Sequence, residues 1–334
     1  MSYVLRRRFL LAAVVLITER LAFAQTRSAG SPYRIGLFPT PPGPFLGWMR
    51  EAMQSAGWRQ GRNYVFVDSG ADYGEPPTAS AVQRLIGQEV DLVLVNSTAH
   101  AVVAHRVTSR LPIVMWGSGY PVEAGIALSL ARPGMNVTGV TVYAGTGIWG
   151  KLLELLRDAK PGIRRVGVAW GYVPPTFPRE EIEPGYRELR QAARALGLAL
   201  HIEEIASPEA LQAGLASIDA ARPDALLVTA GPGFYSQRHR VMQFAVLRRI
   251  PTAVDWRWPP GGVQPLLVYG ASISGSMRVA ASYVVRILRE GAKAGDLPIQ
   301  QPSKFELVIN RTTAKAIGLT IPQTLLLRAD EVIE

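Results

Sequence analysis

Short apolar runs alternate with amphipathic helical segments along most of this chain. Eleven of the runs are rich in β-branched and other apolar residues, which predicts strands. They are residues 35–38, 64–67, 91–95, 113–116, 137–142, 166–170, 198–205, 225–229, 252–254, 266–269 and 305–309. Most are continuously apolar, as expected of parallel strands buried on both faces. The pattern therefore predicts an α/β protein with doubly wound sheets.

The strand pattern also predicts two lobes. One sheet of eleven strands would be unusually wide, whereas two sheets of about five strands have the usual size. The alternation breaks within residues 143–150, where the sequence reads Ala144-Gly145-Thr146-Gly147. We therefore expect two Rossmann-like lobes that face each other across a central cleft. Ligands of open parallel sheets bind beyond the carboxyl ends of the strands, so the loops that follow each strand are the candidate site.

The predicted loops differ in chemistry between the two halves. We expect the following residues to contact a ligand: Thr40, Asn96, Ser97, Thr98, Ser118, Tyr120 and Thr141 from the first half, and Trp170, Phe234, Trp256 and Tyr269 from the second. Hydroxyl and amide groups would hold a small solute by hydrogen bonds, and the rings would cover its flat faces. In the alternative interpretation Ser97 only caps a helix and the tryptophans pack between the lobes. Both interpretations stay open for any single residue.

The first 24 residues predict export. Arg6, Arg7 and Arg8 precede nine apolar residues, and Ala22-Phe23-Ala24 forms a small-x-small cleavage site, so we expect a signal peptide cut near Ala24. Residues 6–10 also fit the twin-arginine pattern, which leaves both export routes open. The 334 residues include no cysteine, which excludes disulfides, a thiol nucleophile and a lipoprotein anchor. In a host with two membranes, these features predict a periplasmic protein.

The positive charge does not predict a nucleic-acid partner. The formal net charge is +10. Without four arginines and one glutamate in residues 1–24, 32 basic and 25 acidic residues remain, a charge of +7. Arg187, Arg190 and Arg194 recur at helical spacing behind acidic residues, as on a solvated helix face. With 48% hydrophobic residues, the remainder of the chain can bury a sizeable core, and its roughly 310 residues are enough for two lobes.

Enzymatic motifs are incomplete. The segment 145–150 (GTGIWG) fits G-x-G-x-x-G, but it follows the fifth strand, and Trp170 stands where a ribose-binding acid would be. Leu152 replaces the Ser/Thr of a phosphate-binding loop, so we expect a linker with Lys151 as an ordinary helix-start residue. His100 and His105 are off the i, i+4 register of metal ligands, and no G-x-S-x-G motif occurs. We therefore predict no catalytic residue, cofactor or metal, while an exported nucleotide-dependent oxidoreductase remains an alternative.

Three segments carry a more specific signal: 57–63 (GWRQGRN), 132–139 (RPGMNVTG) and 301–310 (QPSKFELVIN). With the tail 313–333, they resemble the ABC transporter substrate-binding protein family of the tryptophan/tyrosine type. The resemblance implies a type I periplasmic binding fold, with hinge crossovers between lobes at 31–143 plus about 271–292 and 144–270 plus about 300–334. It also implies a monomer that delivers a solute to ABC permease subunits in the inner membrane. A ligand sensor for a membrane kinase is an alternative.

The chain departs from that resemblance at two places. Tyr120 stands where many relatives have the aspartate of Gly-Asp-Pro, and Trp170-Gly171-Tyr172 replaces a familiar Asn-Pro-Asn segment. Both changes predict a site that is more aromatic and less acidic. We therefore expect an aromatic or carboxylate-bearing solute rather than a zwitterionic amino acid. Asp255 could form a structural ion pair or contact the ligand.

Overall fold

The computed structural model describes residues 30–73, 76–143, 147–171, 179, 182–229, 232–258, 261–302 and 304–334, except the side chains of 232–235. Within these ranges the strands are β1 (Tyr33–Phe38), β2 (Tyr64–Asp68), β3 (Leu92–Val95), β4 (Ile113–Ser118), β5 (Val137–Thr141), β6 (Arg165–Gly171), β7 (Ala199–Ile205), β8 (Ala225–Val228), β9 (Thr252–Val254), β10 (Leu267–Ala271), β11 (Phe305–Asn310) and β12 (Glu331–Ile333).

The described helices, also numbered in chain order, are α1 (Gly43–Ser55), α2 (Ala79–Gly87), α3 (Thr98–Val107), α4 (Ile148–Ala159), α5 (Glu183–Ala195), α6 (Leu211–Ala220), α7 (Pro232–Arg248), α8 (Ile273–Glu290), α9 (Arg311–Ala316) and α10 (Gln323–Leu326). A short 3-10 helix, Ala294–Asp296, follows α8. Helix α1 illustrates how the sequence specifies these elements. Its buried residues Phe45, Met49 and Met53 recur every four positions, and burial of each stabilises the fold by about 1.5–3 kcal/mol.

Two separate sheets confirm the predicted α/β class with two Rossmann-like lobes. The first sheet has the order β2-β1-β3-β4-β5 and is parallel throughout. The second has the order β12-β11-β10-β9-β8-β6-β7, in which only β10 and β11 pair antiparallel. In each sheet the strand order reverses direction, which is the arrangement that creates a ligand crevice at the carboxyl ends of the strands.

All eleven predicted strands occur, with ends displaced by at most two residues. The expectation of about five strands in each sheet was wrong for the second sheet, which has seven. Strand β12 accounts for part of the difference. It has only three residues, none fully buried, and it forms by pairing with β11, where Val332 lies opposite Ile309. Such a short edge strand depends on its partner and leaves little hydrophobic pattern of its own.

In the described part of the chain, three connections join the two sheets. The chain leaves β5 and enters α4, which packs on β8, β9 and β10. After β10 it enters α8, which packs on α1, β4 and β5 of the first sheet. Ser272 caps the start of α8 through the N–H of Gly275, and Gly291 ends it with a left-handed φ of 71°. The third connection follows the 3-10 helix and leads into β11.

Candidate functional site

A cavity of about 130 Å³ lies between the two sheets. Apolar cavities of similar volume admit one benzene-sized molecule. Its wall contains residues from the ends of β3, β4, β9 and β10, from the first connection and from the start of α8. These residues are Asn96, Ser97, Trp116, Gly117, Ser118, Gly119, Val142, Tyr143, Asp255, Trp256, Ala271, Ile273 and Ser276. The cavity therefore occupies the position at the carboxyl ends of the strands that the topology predicts.

Asn96 provides an unpaired amide in the wall. It directly follows β3, all four residues of which are buried, and it is itself only 7% exposed. Neither its Oδ1 nor its Nδ2 has a hydrogen-bond partner among the described residues. A buried amide without partners costs free energy, so such groups are normally paired. Asn96 can satisfy a solute that offers both a donor and an acceptor.

Ser97 is positioned by the start of α3. Its Oγ lies 2.7 Å from Nδ1 of His100 and accepts a weak bond from the His100 backbone N–H at 3.4 Å. Burial lowers the pKa of His100 to about 3, because a charged imidazole would lose its hydration there. The neutral ring packs edge-on against Phe38, at 4.8 Å between ring centres. Ser97 thus lies at the positive end of the α3 dipole, where an anionic group is stabilised.

Asp255 supplies a buried carboxylate from the second lobe. It directly follows β9 and is 2% exposed. The Tyr143 hydroxyl donates a hydrogen bond of 2.6 Å to its Oδ2. Burial, with the charge of Asp255 and the hydrogen bond to it, raises the pKa of Tyr143 well above its usual value. Tyr143 therefore keeps its proton and can donate a hydrogen bond to the Asp255 carboxyl group in the cavity wall.

Gly270 allows the backbone of Asp255 to approach β10. A Cβ atom added at Gly270 would lie 1.8 Å from the carbonyl oxygen of Asp255. No side chain fits at that distance, since real Cβ contacts are essentially never below 3.0 Å. The glycine thereby sets the position of the loop that carries Asp255 and Trp256.

Aromatic rings form the remaining wall. The ring of Trp256, from the second lobe, stacks on Phe45 of α1 with 5.5 Å between centres and 10° between planes. Trp116, at the end of β4, lies 6.4 Å from Trp256. The Nε1–H of Trp256 is buried and has no acceptor among the described residues. This wall suits a flat, partly polar solute.

Four of the predicted contact residues line the cavity: Asn96, Ser97, Ser118 and Trp256. Three hydroxyl residues do not. The Thr40 hydroxyl donates to Asp68 at 2.5 Å, the Thr98 hydroxyl accepts from the Gly119 N–H at 2.7 Å, and the Thr141 hydroxyl donates to the Gly119 carbonyl. The last two bonds join the loops after β3, β4 and β5, so these side chains support the wall from behind.

Of the predicted aromatic contact residues, Trp256 lines the cavity and three others do not. Tyr120 is buried against the second lobe, where its hydroxyl bonds Trp149 and Glu188. Trp170 packs on Tyr186 at 4.3 Å within the second lobe, and Tyr269 stacks on Phe305 at 5.6 Å. None of these three lines the cavity. The side chain of Phe234 lies outside the described residues.

The prediction of a less acidic site than in relatives stays a prediction, because it concerned residue 120 and residues 170–172. Asp255 provides a carboxyl group to the cavity wall from the second lobe. Trp116, Tyr143 and Ser276 were missed as wall residues. The position of Asp255 directly after a strand was the available signal. Nothing local shows that Ser276, inside α8, returns to the site.

The nucleotide-like motif falls partly on residues 144–146, outside the described residues. Its described part begins α4, where Trp149 is buried in the second core. Lys151 forms an ion pair with Glu154 at 3.1 Å. This arrangement agrees with a helix start.

Two parallel-sheet lobes with a cavity at their facing strand ends define a two-lobed binding protein of the type I fold. Residues 46–333 match the ABC transporter substrate binding protein family, and the chain belongs to that family. It is therefore a substrate-binding protein for ABC transport. Of the helices in the described ranges, none has the length and apolarity needed to cross a membrane.

Relatives include a tyrosine-binding protein of Clostridioides difficile (strain R20291), 25% identical over 273 residues, 80% of this chain and 75% of that protein. The crystal structure of an ABC domain in complex with L-Trp, from Streptococcus pneumonia, covers 91% of this chain and 100% of its own, at 22% identity and a TM-score of 0.75. A conserved domain protein from Vibrio cholerae O1 biovar El Tor covers 91% and 99%, at 22% identity and a TM-score of 0.76. These two structures support the fold.

Proposed function

We propose that this protein captures an aromatic α-amino acid in the periplasm and delivers it to an ABC importer. One observation carries the proposal. The buried Asp255 carboxylate and the unpaired Asn96 amide line the same cavity as Trp116 and Trp256. The named ligands of the relatives, tyrosine and L-Trp, belong to the same chemical class.

Each part of such a solute has a complementary group. Asp255 offers a negative charge to the ammonium group, and Asn96 Oδ1 can accept a second of its protons. The carboxylate would lie toward Asn96 Nδ2, Ser97 and the first turn of α3, where the helix dipole favours an anion. The side-chain ring would contact Trp116 and Trp256.

The cavity volume favours small rings. At about 130 Å³ it has room for little more than a benzene-sized group, so a whole amino acid requires side chains and loops of the wall to shift. An indole requires the largest movement. We therefore expect phenylalanine and tyrosine to bind more tightly than tryptophan.

Calorimetry with matched compounds tests this assignment. Phenylalanine is compared with phenethylamine, which has no carboxylate, with 3-phenylpropionate, which has no ammonium group, and with leucine, which has no ring. Binding of phenylalanine alone is the expected result. Equal binding of 3-phenylpropionate would contradict a role for Asp255 in recognising the ammonium group. Native mass spectrometry of protein purified without refolding identifies any other solute that co-purifies.

Export and delivery require cellular tests. The signal in residues 1–24 supports export, and the family supports an ABC importer as the partner. The expected results are a mature chain that begins near Gln25 in the periplasmic fraction and reduced uptake of labelled solute after gene deletion. Recovery of the protein only from the cytoplasm would contradict this part of the proposal.

A further inference from the structure

Tyr120 makes contacts between the lobes that lie outside the cavity. It follows β4 of the first sheet, yet its hydroxyl accepts a hydrogen bond of 3.1 Å from Trp149 Nε1 on α4 and donates one of 3.3 Å to Glu188 on α5. Helices α4 and α5 pack together in the second lobe. We name the contact formed by Tyr120, Trp149 and Glu188 the interlobe clasp.

The second lobe contains a shaped pocket for this ring. Gly185, in the first turn of α5, adjoins the Tyr120 ring and leaves room for the Trp170 ring. A Cβ atom there would lie 2.9 Å from Trp170 and 3.4 Å from Tyr120. Only 4% of Tyr120 is exposed. The fit of ring, glycine and two hydrogen bonds indicates a specific contact between the lobes.

The clasp forms entirely between protein groups. Its hydroxyl has both a donor and an acceptor partner, so it does not need a solute to satisfy it. Burial raises the pKa of Tyr120, which therefore stays protonated and able to donate. The contact can form only when the lobes are together, because its members belong to both.

We propose that Tyr120 is a closure residue that stabilises the closed arrangement of the lobes and strengthens binding of every solute without touching any. Free energy that favours closure lowers the dissociation constant, since the competent state becomes more populated. Because Tyr120 does not contact the solute, affinities for different solutes should change by the same factor. The affinity part of this inference rests on the proposed solute-binding function.

The first experiment uses no solute. Small-angle X-ray scattering compares the wild type with Tyr120→Ala and with Tyr120→Phe, which keeps the ring and removes the hydroxyl. The expected result is a larger radius of gyration for Tyr120→Ala and a smaller increase for Tyr120→Phe. Tyr64→Phe is the control, because Tyr64 packs on Trp58 and Phe66 within the first lobe. An unchanged radius for Tyr120→Ala would overturn the proposal, whether or not a solute is known.

The second experiment measures dissociation by stopped flow for two solutes that bind the wild type. Tyr120→Phe removes both hydrogen bonds of the hydroxyl, so it should accelerate release of both solutes by about 30-fold, as expected from losing two modest hydrogen bonds. Trp149→Phe removes the Nε1–H that donates to the Tyr120 hydroxyl, and it should also accelerate release of both solutes. A change confined to one solute would show that Tyr120 contacts it, which also overturns the proposal. If no solute binds, the proposed function fails while the scattering result still decides the role of Tyr120.

Discussion

The cavity and the interlobe clasp are both interlobe contacts, but their hydrogen bonding differs. In the cavity, the Asn96 amide and the Trp256 N–H have no partner among the described residues. In the clasp, the Trp149 N–H and the Tyr120 hydroxyl both donate to protein acceptors. Incomplete hydrogen bonding therefore distinguishes the surface suited to a solute from the surface that joins the lobes.

The largest expected effect concerns Asp255, the carboxyl group in the cavity wall. Asp255→Asn should weaken binding of phenylalanine about 100-fold, or roughly 2.7 kcal/mol, because the ammonium group loses its buried counter-charge. Calorimetry measures the change. Asp219→Asn is the control, since Asp219 forms an exposed ion pair with Arg248. A loss of only a fewfold for Asp255→Asn would place the ammonium group elsewhere.

Acid should destabilise the cavity region through His100. The pKa of the buried ring is about 3, against 6.5 for an ordinary histidine, so below pH 6.5 the unfolded chain binds a proton that the folded chain does not. Stability is therefore fully present above about pH 6.5 and falls between there and about pH 3, by about 2 kcal/mol at pH 5. Denaturant unfolding measures the free energy of unfolding at pH 7.5 and at pH 5. In His100→Asn the decrease between these two pH values should be smaller by the contribution of His100. If the free energy of unfolding decreases by the same amount in His100→Asn as in the wild type, His100 is not the cause of the acid sensitivity.

The clasp should respond to acid less than the cavity region does. Burial raises the pKa of Glu188 and the hydrogen bond from Tyr120 lowers it, so these two effects on its protonation oppose each other and acid gives little net drive to open the clasp. The solute-free radius of gyration should stay the same between pH 7.5 and pH 5, provided that the protein remains folded. Expansion at pH 5 without loss of secondary structure would contradict this prediction.

Asn96→Ala should separate binding from stability. Affinity for phenylalanine is expected to fall about tenfold, while the solute-free protein becomes no less stable, because an unpaired buried amide is removed. Calorimetry and thermal unfolding measure the two quantities. Asn310→Ala is the matched comparison, since Asn310 caps α9 through the Thr313 N–H. That variant should lose about 1 kcal/mol of stability and keep its affinity.

The smallest effect concerns the Trp256 N–H. Trp256→Phe preserves a ring that can stack on Phe45 and removes the donor, so affinity should fall about threefold, as expected for one modest hydrogen bond. The same change should leave the solute-free radius of gyration unaltered. A clear expansion would show that Trp256 contributes mainly to closure, as Tyr120 is proposed to do.

The strands were predictable because their signal is local. In β3, four consecutive apolar residues predict a strand buried on both faces, and all four are buried. The location of the site at the strand ends followed from the parallel topology. Strand β12 could not be predicted in this way, because it forms by pairing with β11, far away in the sequence.

The sequence alone determined the alternation of elements, the two-lobed class and the loops from which a site could form, since these follow from periodicity and connectivity. Only the tertiary structure decided which loop side chains enter the cavity. Ser97 lines it while the neighbouring Thr98 supports Gly119, and Asp255 rather than residue 120 supplies the carboxylate. Side-chain direction and the approach of the second lobe control these choices, and neither is encoded in local hydrophobic pattern.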